Sequence, residues 1–163
     1  MFLRLTPVAI FVAVCLAGCG STAPTKRLGK KEYLRQINEI ASSDDARKAT
    51  RLFDKIVVEL PQRKGSCLAR TRELEQVLDR LVDRVEGLSP PEEVAQLQRQ
   101  FVDAARESIR TVGEAADEVG AGKLHCGRPM NRRIYGLPST ERAQAVLGEY
   151  AKRGYVFGLN SQD

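Results

Sequence analysis

From Lys30 onward, apolar side chains recur every three or four positions, the period of an α-helix that buries one face. Tyr33, Leu34, Ile37, Ile40 and Ala41 form a first stripe, and Ala49, Leu52, Phe53, Ile56, Val57 and Leu60 a second. Ser42-Ser43-Asp44-Asp45 lies between them. This tetrad either caps a second helix, with Asp44 or Asp45 accepting from exposed amides, or forms the polar face of one helix. The spacing favours one continuous or slightly kinked element, ended by Pro61 and Gly65.

The clearest stripe is Leu74, Val77, Leu78, Leu81, Val82, Val85 and Leu88, with Arg72, Glu75, Asp79, Arg80, Asp83 and Glu86 on other faces. It stops at Gly87-Leu88-Ser89-Pro90-Pro91. Ser89 followed by Glu92 matches a capping box, and Pro90 suits a first helical turn, where its missing amide costs little. Val94, Leu97, Phe101, Val102, Ala105, Ile109, Val112, Ala116 and Val119 continue at once, so the two stripes predict a helical hairpin. A last helix is predicted over residues 140–152, with Gly154 ending it and Tyr155-Val156-Phe157-Gly158-Leu159 apolar enough to dock on the body. The fold class expected is therefore all-α, an antiparallel bundle of about four helices. No strand run and no internal repeat competes with this pattern.

The amino terminus follows a different rule. Arg4 precedes an apolar run from Val8 to Leu16, too short for the roughly 20 helical residues that span a bilayer core. It reads as a signal-peptide core. Directly after it, Leu16-Ala17-Gly18-Cys19 resembles the lipobox of bacterial lipoprotein signal peptides at all four positions. That resemblance implies cleavage between Gly18 and Cys19, diacylglycerol on the Cys19 sulfur, and acylation of the new terminus. Small residues admit a peptidase, and the thiol is the soft nucleophile that lipid transfer needs. Two or three acyl chains anchor stably where one is marginal. The chain then divides into a removed signal peptide (1–18), a lipidated basic tether (19–29), a helical body (30–159) and a flexible end (160–163).

Composition narrows the class without naming an activity. With 163 residues, 42% hydrophobic and 29% charged, the chain suits one globular domain and excludes disordered, collagen-like and multi-pass membrane classes. Aromatics are only 6% and tryptophan is absent, so the core must be built on Leu, Val and Ala. The net charge of +5 is unevenly placed. Cleavage removes Arg4, one of 26 basic residues, which leaves 25 against 21 acidic ones, a net of +4. Lys26, Arg27, Lys30, Lys31 and Arg35 against Glu32 account for all of it, and the rest of the body balances. Beside a lipid anchor, such a cluster either is drawn to anionic headgroups, by about 1 kcal/mol per residue, or merely solvates the tether and the start of the first helix. A neutral body outside the cytoplasm argues against nucleic acid as partner.

Lipidation consumes Cys19, leaving Cys67 and Cys126 in a compartment where disulfides persist. Hairpin geometry permits Cys126 to return to Cys67 at the open end; two free thiols or an intermolecular bond are the alternatives. Catalytic chemistry finds little support. His125 adjoins Cys126, but neighbouring residues rarely make a nucleophile–base pair. Cys67, His125 and Cys126 as a metal set lack a fourth ligand. No cofactor motif or catalytic trio is present. Glu92-Glu93 and Asp117-Glu118 suit helix ends and solvated surface. Arg128, Arg132 and Arg133, with Asn131 and Tyr135, form a basic loop that reads either as a solvated linker, the reading favoured, or as a contact for an acidic envelope protein or anionic glycan.

The lipobox, Lys31-Glu32-Tyr33-Leu34 and Leu88-Ser89-Pro90-Pro91-Glu92-Glu93-Val94-Ala95 together resemble a group of small actinobacterial helical lipoproteins over residues 16–126. The group has no assigned activity, so the resemblance implies fold and address only. The expectation is a non-enzymatic binding or interaction module on the outer face of a bacterial membrane, with a ligand-free structural or stress-related role and an envelope enzyme as the competing readings.

Overall fold

The computed structural model describes residues 26–57, 64–134 and 137–157. The expected signal peptide, Cys19, Leu60, Pro61, Tyr135 and the segment from Gly158 onward lie outside the described residues. The described chain is all-helical: α1 Lys30–Ala41, α2 Asp44–Val57, α3 Lys64–Glu86, α4 Glu92–Gly120, α5 Arg128–Ile134 and α6 Pro138–Lys152. The long antiparallel pair α3 and α4 is the spine. α2 packs on α3, α6 packs on α4, α5 bridges α2 and α4, and α1 lies more lightly on α3.

The first two stripes form two helices rather than the continuous element expected. Ser42 Oγ donates to the Asn38 carbonyl at 2.8 Å and Ser43 Oγ to the Ile40 carbonyl at 2.6 Å. Serine hydroxyls here compete with the helical ladder, and two in succession interrupt it. Ser43 Oγ also accepts from the Ala46 amide at 3.4 Å, so the cap belongs to Ser43 and not to Asp44 or Asp45. The two aspartates occupy the first turn of α2, where they favour the helix dipole, and Asp45 also accepts from Arg80 on α3 at 2.9 Å.

The turn between α3 and α4 departs from the expected capping box. α4 begins at Glu92 with Pro91 as its N-cap and no side-chain bond there. The Ser89 carbonyl instead accepts from the Leu28 amide at 2.8 Å. Gln98 is buried, and its amide nitrogen donates to the Val85 and Leu88 carbonyls at 3.0 and 3.1 Å, satisfying acceptors that the end of α3 leaves open. Residues 26–29, expected as the last of the tether, thus lie against the body.

Three apolar clusters fill the bundle. One, at the α3 start and α4 end, holds Leu52, Ile56, Leu74, Val77, Val119, Met130 and the cystine. A second, at the α3–α4 turn, holds Tyr33, Val94, Leu97, Val146, Tyr150 and Tyr155. A small third, of Val82, Val102 and Ile109, lies along the hairpin. Cys67 and Cys126 are disulfide-bonded, with Cα atoms 5.7 Å apart, at the open end of the hairpin as expected. Arg106 on α4 reaches Asp79, Asp83 and Glu86 on α3, clamping the same hairpin from the surface.

Residues 128–134 are helical rather than loop. Gly127, at φ +91°, donates its amide to the Ile56 carbonyl at 2.7 Å and turns the chain, and Met130 and Ile134, one helical turn apart, are buried against the first cluster. At the other end Gly154, at φ +72°, lets the Tyr155 amide reach back to the Tyr150 carbonyl at 2.9 Å. Tyr155 then buries and Phe157 packs beside it, while Val156 points outward at 72% exposure.

Candidate functional site

The second and third clusters do not merge. Between them lies an apolar pocket of about 280 Å³, walled by α1, the start of α2, α3, α4, α6 and the segment after α6. Each wall follows from the helical period. Tyr33, Ile37 and Ile40 come from the inner face of α1, Leu78, Leu81, Val82 and Val85 from α3, and Phe101 and Ala105 from α4. Leu147, Tyr150 and Phe157 close it. Ile37, Leu81, Phe101, Leu147 and Phe157 are half-buried although they face inward, because the pocket leaves part of their surface uncovered.

Two tyrosines brace one side. The Tyr33 and Tyr150 hydroxyls lie 2.9 Å apart, both side chains buried, and their rings stack with centroids 6.4 Å apart. Tyr155 meets both rings edge-on at 6.0 Å, and Phe157 meets Tyr150 at 5.0 Å. Such pairs add about 0.5–1.5 kcal/mol each beyond area burial. Burial, then the bond to Tyr150, pushes the Tyr33 phenol well above its ordinary value, and burial pushes Tyr150 up as well. Burial first, then its bond to Glu93, raises Tyr155 to about 12. The same bond, donated by Tyr155, holds Glu93 below the usual carboxylate range. These phenols therefore stay protonated at neutral pH and act as braces, not bases.

The pocket adjoins the end of the body where residues 26–29 enter. Lys30 donates to the Arg153 carbonyl at 3.1 Å and its Nζ stands 4.6 Å from the Tyr155 ring centroid. Arg27 pairs with Glu92, and Leu28 packs into the second cluster. Of the five basic residues between Lys26 and Arg35, Arg35 also pairs within the chain, with Glu32 and Glu39, whereas Lys26 and Lys31 are exposed.

The other residues singled out in the sequence lie away from the pocket. Cys126 is bonded to Cys67, so it offers no thiol nucleophile beside the exposed His125. Among the described residues no group of three His, Cys, Asp or Glu side chains is placed to hold a metal ion. The basic segment is not one surface. Arg133 turns back to Glu114 at 2.9 Å and Glu118 at 3.1 Å on α4, while Arg128 and Arg132 are exposed. No described helix is long and apolar enough to cross a membrane.

The pocket is the feature that reading the stripes misses, because pocket and core positions carry the same residue types. One signal was present: Leu78, Leu81, Val85, Phe101 and Ala105 give the hairpin an apolar face wider than one neighbour covers. An apolar wall supplies no charge and no hydrogen bond to a reacting group; it removes apolar surface from water. No protein-family model, curated protein or solved structure matches this chain.

Proposed function

We propose that the mature protein is a lipid-anchored, non-enzymatic binding module on the extracytoplasmic face of a bacterial cell membrane, and that its ligand is an apolar molecule held in the pocket between α1, α3, α4 and α6. The observation that carries the ligand reading is the pocket itself: about 280 Å³ walled by apolar side chains. Ligand sites are concave and mostly apolar, and are few per protein. Among the described residues, the polar groups at that pocket are the two buried tyrosine hydroxyls, and they bond each other.

Support for the anchor comes from Leu16-Ala17-Gly18-Cys19. The seven residues from Cys19 to Thr25 reach at most about 25 Å, so an acylated Cys19 holds the pocket-bearing end close to the lipid surface. Exposed Lys26 and Lys31 favour anionic headgroups there, more than the internally paired Arg27 and Arg35 do. Arg128 and Arg132, beside the cystine at the other end of the long hairpin, are the remaining candidate contact for an acidic envelope protein or anionic glycan.

Two measurements test this reading. The full chain expressed in a bacterium with the lipoprotein pathway is expected in the detergent phase on Triton X-114 partition, and its Cys19→Ser form in the aqueous phase; equal partition overturns the anchor. Calorimetry with naphthalene as an apolar probe is expected to show one saturable site, weakened by Ala105→Leu, which fills the pocket. No saturable binding overturns the ligand reading.

A further inference from the structure

The volume, the lining and the place of the pocket together define its ligand more closely. An apolar cavity of about 150 Å³ accepts benzene, roughly 25 Å³ per carbon, so about 280 Å³ accommodates around eleven carbons. That is too little for the two chains of a membrane phospholipid and suits one chain entered to part of its depth. Among the described residues the walls present no polar side chain except Tyr33 and Tyr150, whose hydroxyls are already bonded to each other, so a polar headgroup finds no partner among them and stays in water. Half-buried Ile37, Leu81, Phe101 and Leu147 mark where the pocket meets solvent. The short tether, joined to the body through Leu28, keeps that end within reach of the surface from which single-chain amphiphiles dissociate.

We infer that the pocket binds the acyl chain of a single-chain amphiphile, a free fatty acid or lysolipid, taking up roughly the first eleven carbons from the methyl end and leaving the head outside. The inference rests on the pocket being the ligand site, and it adds the shape of the ligand and a limit to its length.

The test is a ladder of straight-chain fatty acids from six to sixteen carbons, each below its micelle concentration, titrated into the unlipidated mature chain (Cys19→Ser). Affinity is expected to rise about fourfold per added methylene, the fold-change equivalent to about 0.8 kcal/mol, and to flatten near eleven carbons. Ala105→Leu adds about three carbons of wall, and the plateau is expected to move about three carbons shorter. Ala46→Leu, on α2, is expected to do the same and stands in should the first variant fail to fold. Ala145→Leu, on exposed α6 surface, is expected to leave the plateau unchanged. Lysophosphatidylcholines run as a second series: the same slope and plateau show that the chain alone is read, and a steeper or absent response in one series assigns the head a role that the geometry denies. Naphthalene binding without any dependence on chain length overturns the acyl-chain inference and leaves the apolar-ligand reading standing. Failure of both overturns both.

Discussion

The phenolic oxygens of Tyr33 and Tyr150 lie 2.9 Å apart, joining the first helix to the last across 117 residues of sequence. Among the described residues that bond is the one polar link in an otherwise apolar wall, and it ties α1 to α6 on that side of the pocket. Replacing Tyr33 by Phe leaves the buried Tyr150 hydroxyl without its partner, at a cost of about 1–3 kcal/mol. Tyr150→Phe should cost a similar amount. The double variant removes both polar groups together and should cost less than the sum of the two, which urea denaturation of the three proteins will show as a coupling of about 1 kcal/mol.

Alkaline pH should loosen the same region. Tyr33, Tyr150 and Tyr155 all have phenols raised above their ordinary value near 10, Tyr155 to about 12. The folded state therefore holds protons that the unfolded state releases, so this contribution is complete below about pH 10 and is lost as pH rises toward 12. Melting temperature should fall over that interval, in step with tyrosinate absorbance. Tyr155→Phe should have a shallower fall.

Reduction should weaken the opposite end. The cystine spans 59 residues of sequence, and opening a loop of that size removes about 4 kcal/mol in the chain-entropy treatment. Cys67→Ala with Cys126→Ala should lower stability by that order, measured by denaturant unfolding, while fatty-acid affinity changes little, because the pocket is walled by neither cysteine.

The three arginines of the basic segment should separate into two classes. Arg133→Ser breaks pairs with Glu114 and Glu118 and should cost about 1 kcal/mol of stability. Arg128→Ser with Arg132→Ser should leave the melting curve within about 0.5 kcal/mol of the parent, as exposed substitutions usually do. If an anionic partner binds this end, retention on a polyglutamate column should fall for the second pair only.

How much of this was legible beforehand depends on whether a feature is local or collective. The α3–α4 hairpin, the last helix and the closing cystine follow from periodicity, Gly and Pro punctuation and cysteine count, each read within a short window. The break at Ser42-Ser43 turned on a contest between hydroxyl bonds and the helical ladder, which composition alone leaves balanced. The Ser89–Glu92 pattern predicted a cap, but α4 begins at Glu92 with Pro91 as its N-cap, and the Glu92 carboxylate the box needs pairs with Arg27, 65 residues away in sequence. Helix α5 was hidden because Met130 and Ile134 gain their burial from elements distant in sequence, among them α2 and α4. The pocket is the most collective feature: Leu81 and Phe101 look like core residues in sequence, and only the placing of α1 and α6 decides that they border empty space.

The most direct test of the central claim is to locate a bound chain. Intermolecular nuclear Overhauser effects should be recorded between decanoic acid and the methyl groups of the unlipidated mature protein. Contacts from decanoate methylenes to Ile37, Leu81 and Leu147, with none to Ile134 or Met130 in the cystine-end cluster, are the result expected. Contacts confined to the cystine end, or spread without preference over surface methyls such as Val156, would contradict it.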